Sequence, residues 1–120
     1  MKALLINPPG PEGIRMVREG RCMQREGAWG ATWPPISLAY MASVLEEESI
    51  LCKLHDCIVE DLDLDKILKI ASEFQPDLIF VNTATPSIDY DIKTAESLKD
   101  LFKTSKVVLF GIHVTALAKE

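Results

Sequence analysis

The sequence predicts a single α/β domain with a doubly wound, mostly parallel sheet. Three observations carry that expectation. Short uninterrupted apolar runs stop abruptly at turn residues, segments of helical period lie between them, and the two kinds alternate along the chain. With 120 residues, 48% hydrophobic and 26% charged, the chain is long enough for one core and too short for two, so residues 1–120 read as one domain.

The first strand is Ala3-Leu4-Leu5-Ile6, apolar on both faces and halted by Asn7-Pro8-Pro9-Gly10-Pro11. A long connection follows. A helix over 35–48 is entered through Pro34-Pro35, because proline at a helix start loses no hydrogen bond, and it carries Ile36, Ala39 and Ala42. Residues 51–56 alternate, with Lys53 and His55 opposite Cys52, Leu54 and Asp56, which suits an edge strand with one solvated side. Leu64, Ile67, Leu68, Ala71 and Phe74 share one helical face, as do Ile88, Ile92, Ala95, Leu98 and Phe102. Leu78-Ile79-Phe80-Val81 and Val107-Val108-Leu109-Phe110 supply the third and fourth strands. Right-handed crossovers then give the spatial order 2-1-3-4 of a flavodoxin-like or Rossmann-like sheet. After the fourth strand the sequence reads as the first turn of another helix, so a domain truncated before a fifth strand is expected.

Composition narrows the functions. Nine lysines and four arginines against 18 acids leave a net charge of −5, which disfavours nucleic acid as a partner. No apolar run is long enough to span a bilayer, so no membrane partner is expected. An odd number of cysteines, Cys22, Cys52 and Cys57, with no signal peptide ahead of them, points to reduced thiols and a cytoplasmic location.

In an open parallel sheet a ligand lies beyond the carboxyl ends of the strands, where the winding reverses. Here that is between the first and third strands. The loops presented there are Asn7-Pro8-Pro9, then Asn82-Thr83-Ala84-Thr85-Pro86-Ser87, flanked by Gly111-Ile112-His113-Val114-Thr115. Short hydroxyls and exposed backbone N–H groups suit the polar rim of a neutral or mildly anionic ligand, although for any single residue helix capping is the commoner role. The connection over 8–33 far exceeds the usual strand-to-helix loop of about 2–6 residues. It holds every arginine, Arg15, Arg18, Arg21 and Arg25, at helix-like spacings, with Trp29 and Trp33. Those residues either clamp an anionic or planar ligand or form a solvated loop.

Several chemistries are excluded by absence. Asn7-Pro8-Pro9-Gly10-Pro11 is neither a dinucleotide glycine fingerprint nor a flavin phosphate loop, since prolines remove the backbone donors a phosphate needs. Asn82 stands where a phosphoacceptor aspartate would end the third strand, and there is no Walker loop. Cys52-x-x-His55-x-Cys57 has its cysteines on opposite faces of a strand, which prevents one tetrahedral metal site and leaves buried free thiols.

Asn7-Pro8-Pro9, Gly20-Arg21-Cys22, the helix start Trp33-Pro34-Pro35-Ile36-Ser37-Leu38-Ala39-Tyr40, Asp56 closing the second strand, and Gly111-x-His113-x-Thr115 together resemble one family. It is the N-terminal cobalamin-binding domain of cobalamin-dependent radical S-adenosylmethionine enzymes, and the resemblance covers essentially the whole chain. It implies a corrin held across the strand ends with its nucleotide tail buried in the domain. Thr83, Thr85 and Ser87 would line the tail cleft, Gly111 would allow close backbone approach, and His113 and Thr115 would hydrogen-bond the tail. Asn7, Pro8 and Pro9 would shape the first-strand edge, and the arginine loop would face the corrin's upper side or a neighbouring domain. No catalytic residue and no protein metal ligand are implied. The family's catalytic domain, downstream in the same polypeptide, carries Cys-x-x-x-Cys-x-x-Cys, a 4Fe-4S cluster and S-adenosylmethionine, and that spacing does not occur here. Cobalamin mutases carry Asp-x-His-x-x-Gly after the first strand; its absence implies a corrin with no histidine beneath the cobalt and a displaced benzimidazole tail. The chain departs from the family at Phe110, where a glycine is common, and at Ser49, where a glycine usually ends the first helix. Two other readings of the same fold are a cofactor-free interaction domain docking through Trp29, Trp33 and the arginines, and a nucleotide or sugar-nucleotide binder.

Overall fold

The computed structural model describes residues 1–11, 14–18, 24–25 and 33–118. Four parallel strands form the main sheet: β1 (Lys2–Asn7), β4 (Leu51–Asp56), β5 (Leu78–Thr83) and β6 (Lys106–Gly111), in the spatial order β4-β1-β5-β6. Numbered among themselves this is the expected 2-1-3-4. Residues 3–7 of β1 are all buried because the strand sits in the interior of the sheet with helices on both faces, which explains its unbroken apolar run. The alternating strand β4 is at an edge, as its pattern requires.

Side chains of alternate strand positions build two cores. Leu4, Ile6, Ile79, Val81 and Leu109 pack with α2 (Leu64–Phe74) and α3 (Ile88–Leu101) through Ile67, Ala71, Phe74, Ala95 and Leu98. Ala3, Leu5, Leu54, Leu78, Phe80 and Phe110 pack on the opposite face against Leu38, Met41, Ala42 and Leu45 of α1 (Ile36–Glu47). A short 3-10 turn over Thr85–Ser87 leads into α3, and a five-residue helix α4 (Ile112–Ala116) follows β6.

Two local expectations differ from the outcome. The arginine-bearing connection shows no helix among its described residues; β2 (Met16–Val17) and β3 (Gln24–Arg25) pair antiparallel instead. On α3, Ile92 remains 38% exposed, and the inward positions go to Asp91, Thr94, Ala95 and Leu98. Helical spacing favours Ile92 inward, and the buried pairing of Asp91 with Arg18 overrides it. Gly20, Arg21, Cys22 and Trp29 lie outside the described residues.

Helix α1 ends in a paired-bond cap: Ile50 N donates to Leu45 O (3.1 Å) and Ser49 N to Glu46 O (2.9 Å), with Ile50 and Leu45 in the same apolar cluster. This geometry puts Ser49 at φ 60°, where a Cβ is unfavourable. Ser49→Gly is therefore expected to stabilise the domain by about 1 kcal/mol, read as a higher urea midpoint at unchanged slope.

Candidate functional site

Three polar side chains line up at the carboxyl ends of β4, β1 and β5 on the face that α1 covers. Asn7 Nδ2 donates to Asp56 Oδ2 (3.1 Å), and Asn82 Nδ2 donates to Asn7 Oδ1 (2.8 Å). The second Asp56 oxygen caps the turn after β4, accepting from Ile58 N at 3.1 Å. The row is buried, with Asn7 3%, Asn82 6% and Asp56 8% exposed, so its internal hydrogen bonds are what offsets the cost of burying three polar groups. In the β5–β6 register Asn82 stands opposite Phe110, and Thr83 opposite Gly111.

Gly111 closes β6 with φ 123° and ψ −178°, a backbone conformation that side chains exclude. A Cβ there would lie 2.2 Å from the Thr83 carbonyl oxygen and 3.0 Å from Asn82 Oδ1. The strand ends thus carry a ledge of bare backbone. Two hydroxyls hold it: Thr83 Oγ1 donates to Phe110 O and Thr115 Oγ1 to Gly111 O, both at 2.8 Å. His113 Nδ1 stands 3.3 Å from Thr85 Oγ1, joining the start of α4 to the loop after β5.

A cleft of about 510 Å³ beside the ledge is lined by Ile88, Ile92, Leu109, Phe110, His113 and Thr115, among others. On the α1 side, Phe80 stands opposite Val108 in the register with Phe110 next on the same face; Phe80 and Phe110 are half-buried and Val108 is exposed, leaving an apolar strip that leads to Gly111. A larger cleft of about 750 Å³ opens between α2 and α3; it includes Pro9 but neither Gly111 nor the Asn–Asp row.

The structure divides the residues singled out from sequence. Thr83, Thr85, Gly111, His113 and Thr115 gather where β5 and β6 end. Asn7 joins them through Asn82, whereas Pro9 faces the α2–α3 cleft. Ser87 and Pro8 belong to a buried knot with Arg18. Arg18 Nη1 donates to Pro8 O (2.7 Å), and Nη2 pairs with Asp91 Oδ1 (2.7 Å). Asp91 Oδ2 also accepts from Ser87 Oγ (2.7 Å) and Ala84 N (3.0 Å). Arg18 is consequently neither a solvated charge nor a free clamp: it pins the long connection to the ends of β1 and β5. Burial pushes the Asp91 carboxyl above the ordinary carboxylate range, and Arg18, Ser87 and the Ala84 amide each pull it back. Arg15 lies at the surface, donating to Ile58 O (2.8 Å) and pairing with Asp61 (3.1 Å).

Sequence reasoning placed Asn82 in the right loop and Asp56 at the end of its strand but gave neither a role. It missed Arg18 and Asp91 as partners. A charged residue on the apolar stripe of a helix is the signal that could have prompted a search for the pair.

Cys52 and Cys57 are free thiols, Cys57 fully inside. Burial first, then the Asp56 and Glu60 carboxylates, push the Cys57 thiol from 9.0 up to about 12. The fold therefore favours the neutral thiol. The stability this contributes is complete below pH 9 and is lost as pH rises toward about 12, by up to about 1.4 kcal/mol per pH unit. We expect Cys57 to resist alkylation at pH 8 in peptide mapping, and Cys57→Ala to flatten the alkaline fall in urea stability.

Residues 27–120 match the B12 binding domain family. The chain belongs to that family. Membership makes cobalamin the ligand class of this B12-binding domain. The domain is 39% identical over 116 residues to an uncharacterized methyltransferase of Pyrococcus horikoshii, covering 96% of this chain and 22% of that protein. It is 26% identical over 90 residues to an anaerobic magnesium-protoporphyrin IX monomethyl ester cyclase of Cereibacter sphaeroides, covering 74% of this chain and 15% of that protein. The B12-binding domain thus spans 22% and 15% of the lengths of these two curated relatives. No solved structure matches it. Among the described residues no helix is long and apolar enough to cross a membrane.

Proposed function

We propose that this domain holds the corrin of cobalamin across the carboxyl ends of β1, β5 and β6, as the cofactor-binding module of a radical S-adenosylmethionine enzyme. The observation that carries the reading is the Gly111 ledge, a strand end without a side chain that packs against the Thr83 carbonyl and is bordered by Thr85, His113 and Thr115, on which the ligand is placed in this reading. The residues present fit such a group. The apolar surface around Phe80, Phe110 and Val108 suits the nucleotide tail, and the ledge is flanked by hydroxyl and amide groups.

In this reading Thr83 and Thr115 act as positioning residues, since their hydroxyls are committed to the backbone of the ledge. Thr85 and His113 are the polar side chains facing the tail. Ser87 acts from beneath by holding Asp91, and Asn7, Pro8 and Pro9 shape the rim at β1. When bound, the corrin supplies a cobalt able to carry a methyl group or exchange electrons. This chain contributes no histidine beneath it: Asn7 opens the loop after β1, and its amide is committed to Asp56 and Asn82. S-adenosylmethionine and a 4Fe-4S cluster belong to a catalytic domain elsewhere in the whole protein, in a reducing, cytoplasmic compartment. The greater length of the methyltransferase and cyclase relatives supports that arrangement. The docking alternative loses ground because Arg18 is internal.

Titration with hydroxocobalamin tests the reading. The full-length protein should retain colour through gel filtration and shift the visible spectrum; no retained colour with the ligand at tens of micromolar would overturn it. Electron paramagnetic resonance of the bound Co(II) form should lack splitting from a nitrogen beneath the cobalt, and such splitting would overturn the histidine-free arrangement.

A further inference from the structure

The row Asp56–Asn7–Asn82 has a direction. Asp56 accepts at both carboxylate oxygens, from Asn7 Nδ2 on one and from the Ile58 backbone N–H on the other. A carboxylate offers no proton, so Asn7 must turn its amino group toward Asp56 and its carbonyl oxygen away from it. That oxygen can only accept, so Asn82 must turn its own amino group toward Asn7 (2.8 Å). The amide orientations, ambiguous for an isolated asparagine, are therefore set in sequence from the acid end. The consequence falls on the last atom of the row. Asn82 Oδ1 points toward Gly111, 3.0 Å from where a Cβ would stand, and no donor of the described residues reaches it. A side chain only 6% exposed thus turns an acceptor without a protein partner toward the end of β6, where Gly111 packs its backbone against Thr83. Among the described residues Arg18 Nε is the only fully buried side-chain polar atom without a partner, so Asn82 Oδ1 keeps access to the surface and a donor on a ligand can reach it.

We propose that Asp56, acting through Asn7, fixes Asn82 as a hydrogen-bond acceptor for an N–H of a primary carboxamide on the ligand lying over Gly111. The inference rests on the cobalamin reading, the corrin being a ring whose rim bears such carboxamides. Asn82 touches the ligand; Asp56 and Asn7 are positioning residues. A purely structural row would hold the strand ends equally well in either direction, so the direction itself is the functional content.

Reversal of the row separates the two roles. Asp56→Asn leaves both ends neutral, allows the row to flip, and presents an amino group to the ligand in part of the population. We expect hydroxocobalamin affinity to fall about five- to ten-fold, the order expected for one neutral hydrogen bond, with a nearly unchanged melting temperature. The double variant D56N/N82D pins the reversed direction: the carboxylate introduced at position 82 would accept from Asn7 while its other oxygen still faces the ledge, so affinity should return to near the wild-type value. Wild-type affinity in the single variant would overturn the proposal, as would a folded double variant that remains as weak as the single.

A second measurement does not depend on the double variant folding. Partial hydrolysis of cobalamin gives positional isomers in which one rim carboxamide has become a carboxylate. Wild type should bind one isomer at least about ten-fold more weakly than the others, because that isomer sets a carboxylate against Asn82 Oδ1, and Asp56→Asn should narrow the gap. Equal binding of all isomers by wild type would overturn the proposal. Absence of any hydroxocobalamin binding by wild type would instead remove the cobalamin reading itself, which keeps the two failures distinct.

Discussion

Arg18→Ala is expected to lower the stability of the domain by about 3–5 kcal/mol, a large part of what a domain of this size has. The Arg18–Asp91 pair is fully buried at 2.7 Å, and truncation of the arginine leaves a carboxylate in the interior with only Ser87 and the Ala84 amide to satisfy it. The melting midpoint should drop by roughly 10–20 °C. The pH dependence gives a second readout. Without the arginine, burial acts on Asp91 against only the Ser87 and Ala84 hydrogen bonds and raises its carboxyl further above 3.8. A group raised in the folded state contributes stability at pH below its unfolded value and loses it as pH rises through the folded one. The deficit of the variant relative to wild type should therefore be smaller in mild acid than at neutral pH. Arg18→Met combined with Asp91→Leu should recover part of the loss, because removing both charges leaves no unpaired ion. An Arg18→Ala protein as stable as wild type would show that the knot contributes nothing.

Gly111→Ala is expected to be of similar size and to abolish cobalamin retention. A methyl group 2.2 Å from the Thr83 carbonyl oxygen must displace backbone, and the φ of 123° is itself strained for alanine. We expect a loss of about 3 kcal/mol or more. The strand ends would splay where β5 and β6 meet, so both Asn82 and the two threonine hydroxyls would lose their geometry. Denaturant melts together with retained colour after gel filtration check both effects. Retention of cofactor by a folded Gly111→Ala protein would remove the ledge from the site.

The main sheet is legible in the sequence because its causes are local. A run such as Leu78-Ile79-Phe80-Val81 can be buried on both faces in one way, and edge strand β4 advertises its position by alternation. The ledge is also legible, since glycine at the end of a strand signals a backbone need. The buried polar row is not. Asn7, Asp56 and Asn82 each read alone as a residue that ends a strand, and only the register of β4, β1 and β5 places their side chains in contact. Ile92 and Asp91 show the same limit on a helix: spacing favours Ile92 inward, but the face that turns in is the one whose aspartate meets Arg18. No window of sequence around α3 contains that arginine.

The distance along the chain between those two residues has a kinetic side. They stand 73 positions apart, one on the long connection and the other on a helix entered only after three strands of the sheet are in place. A contact that closes so large a loop forms after the local helices and the central strands have condensed. Its energy then belongs to the descent from the barrier rather than to the climb, so it governs the lifetime of the native domain more than the speed of its assembly. In a chevron plot Arg18→Ala should lift the unfolding arm and leave the refolding arm nearly where it was.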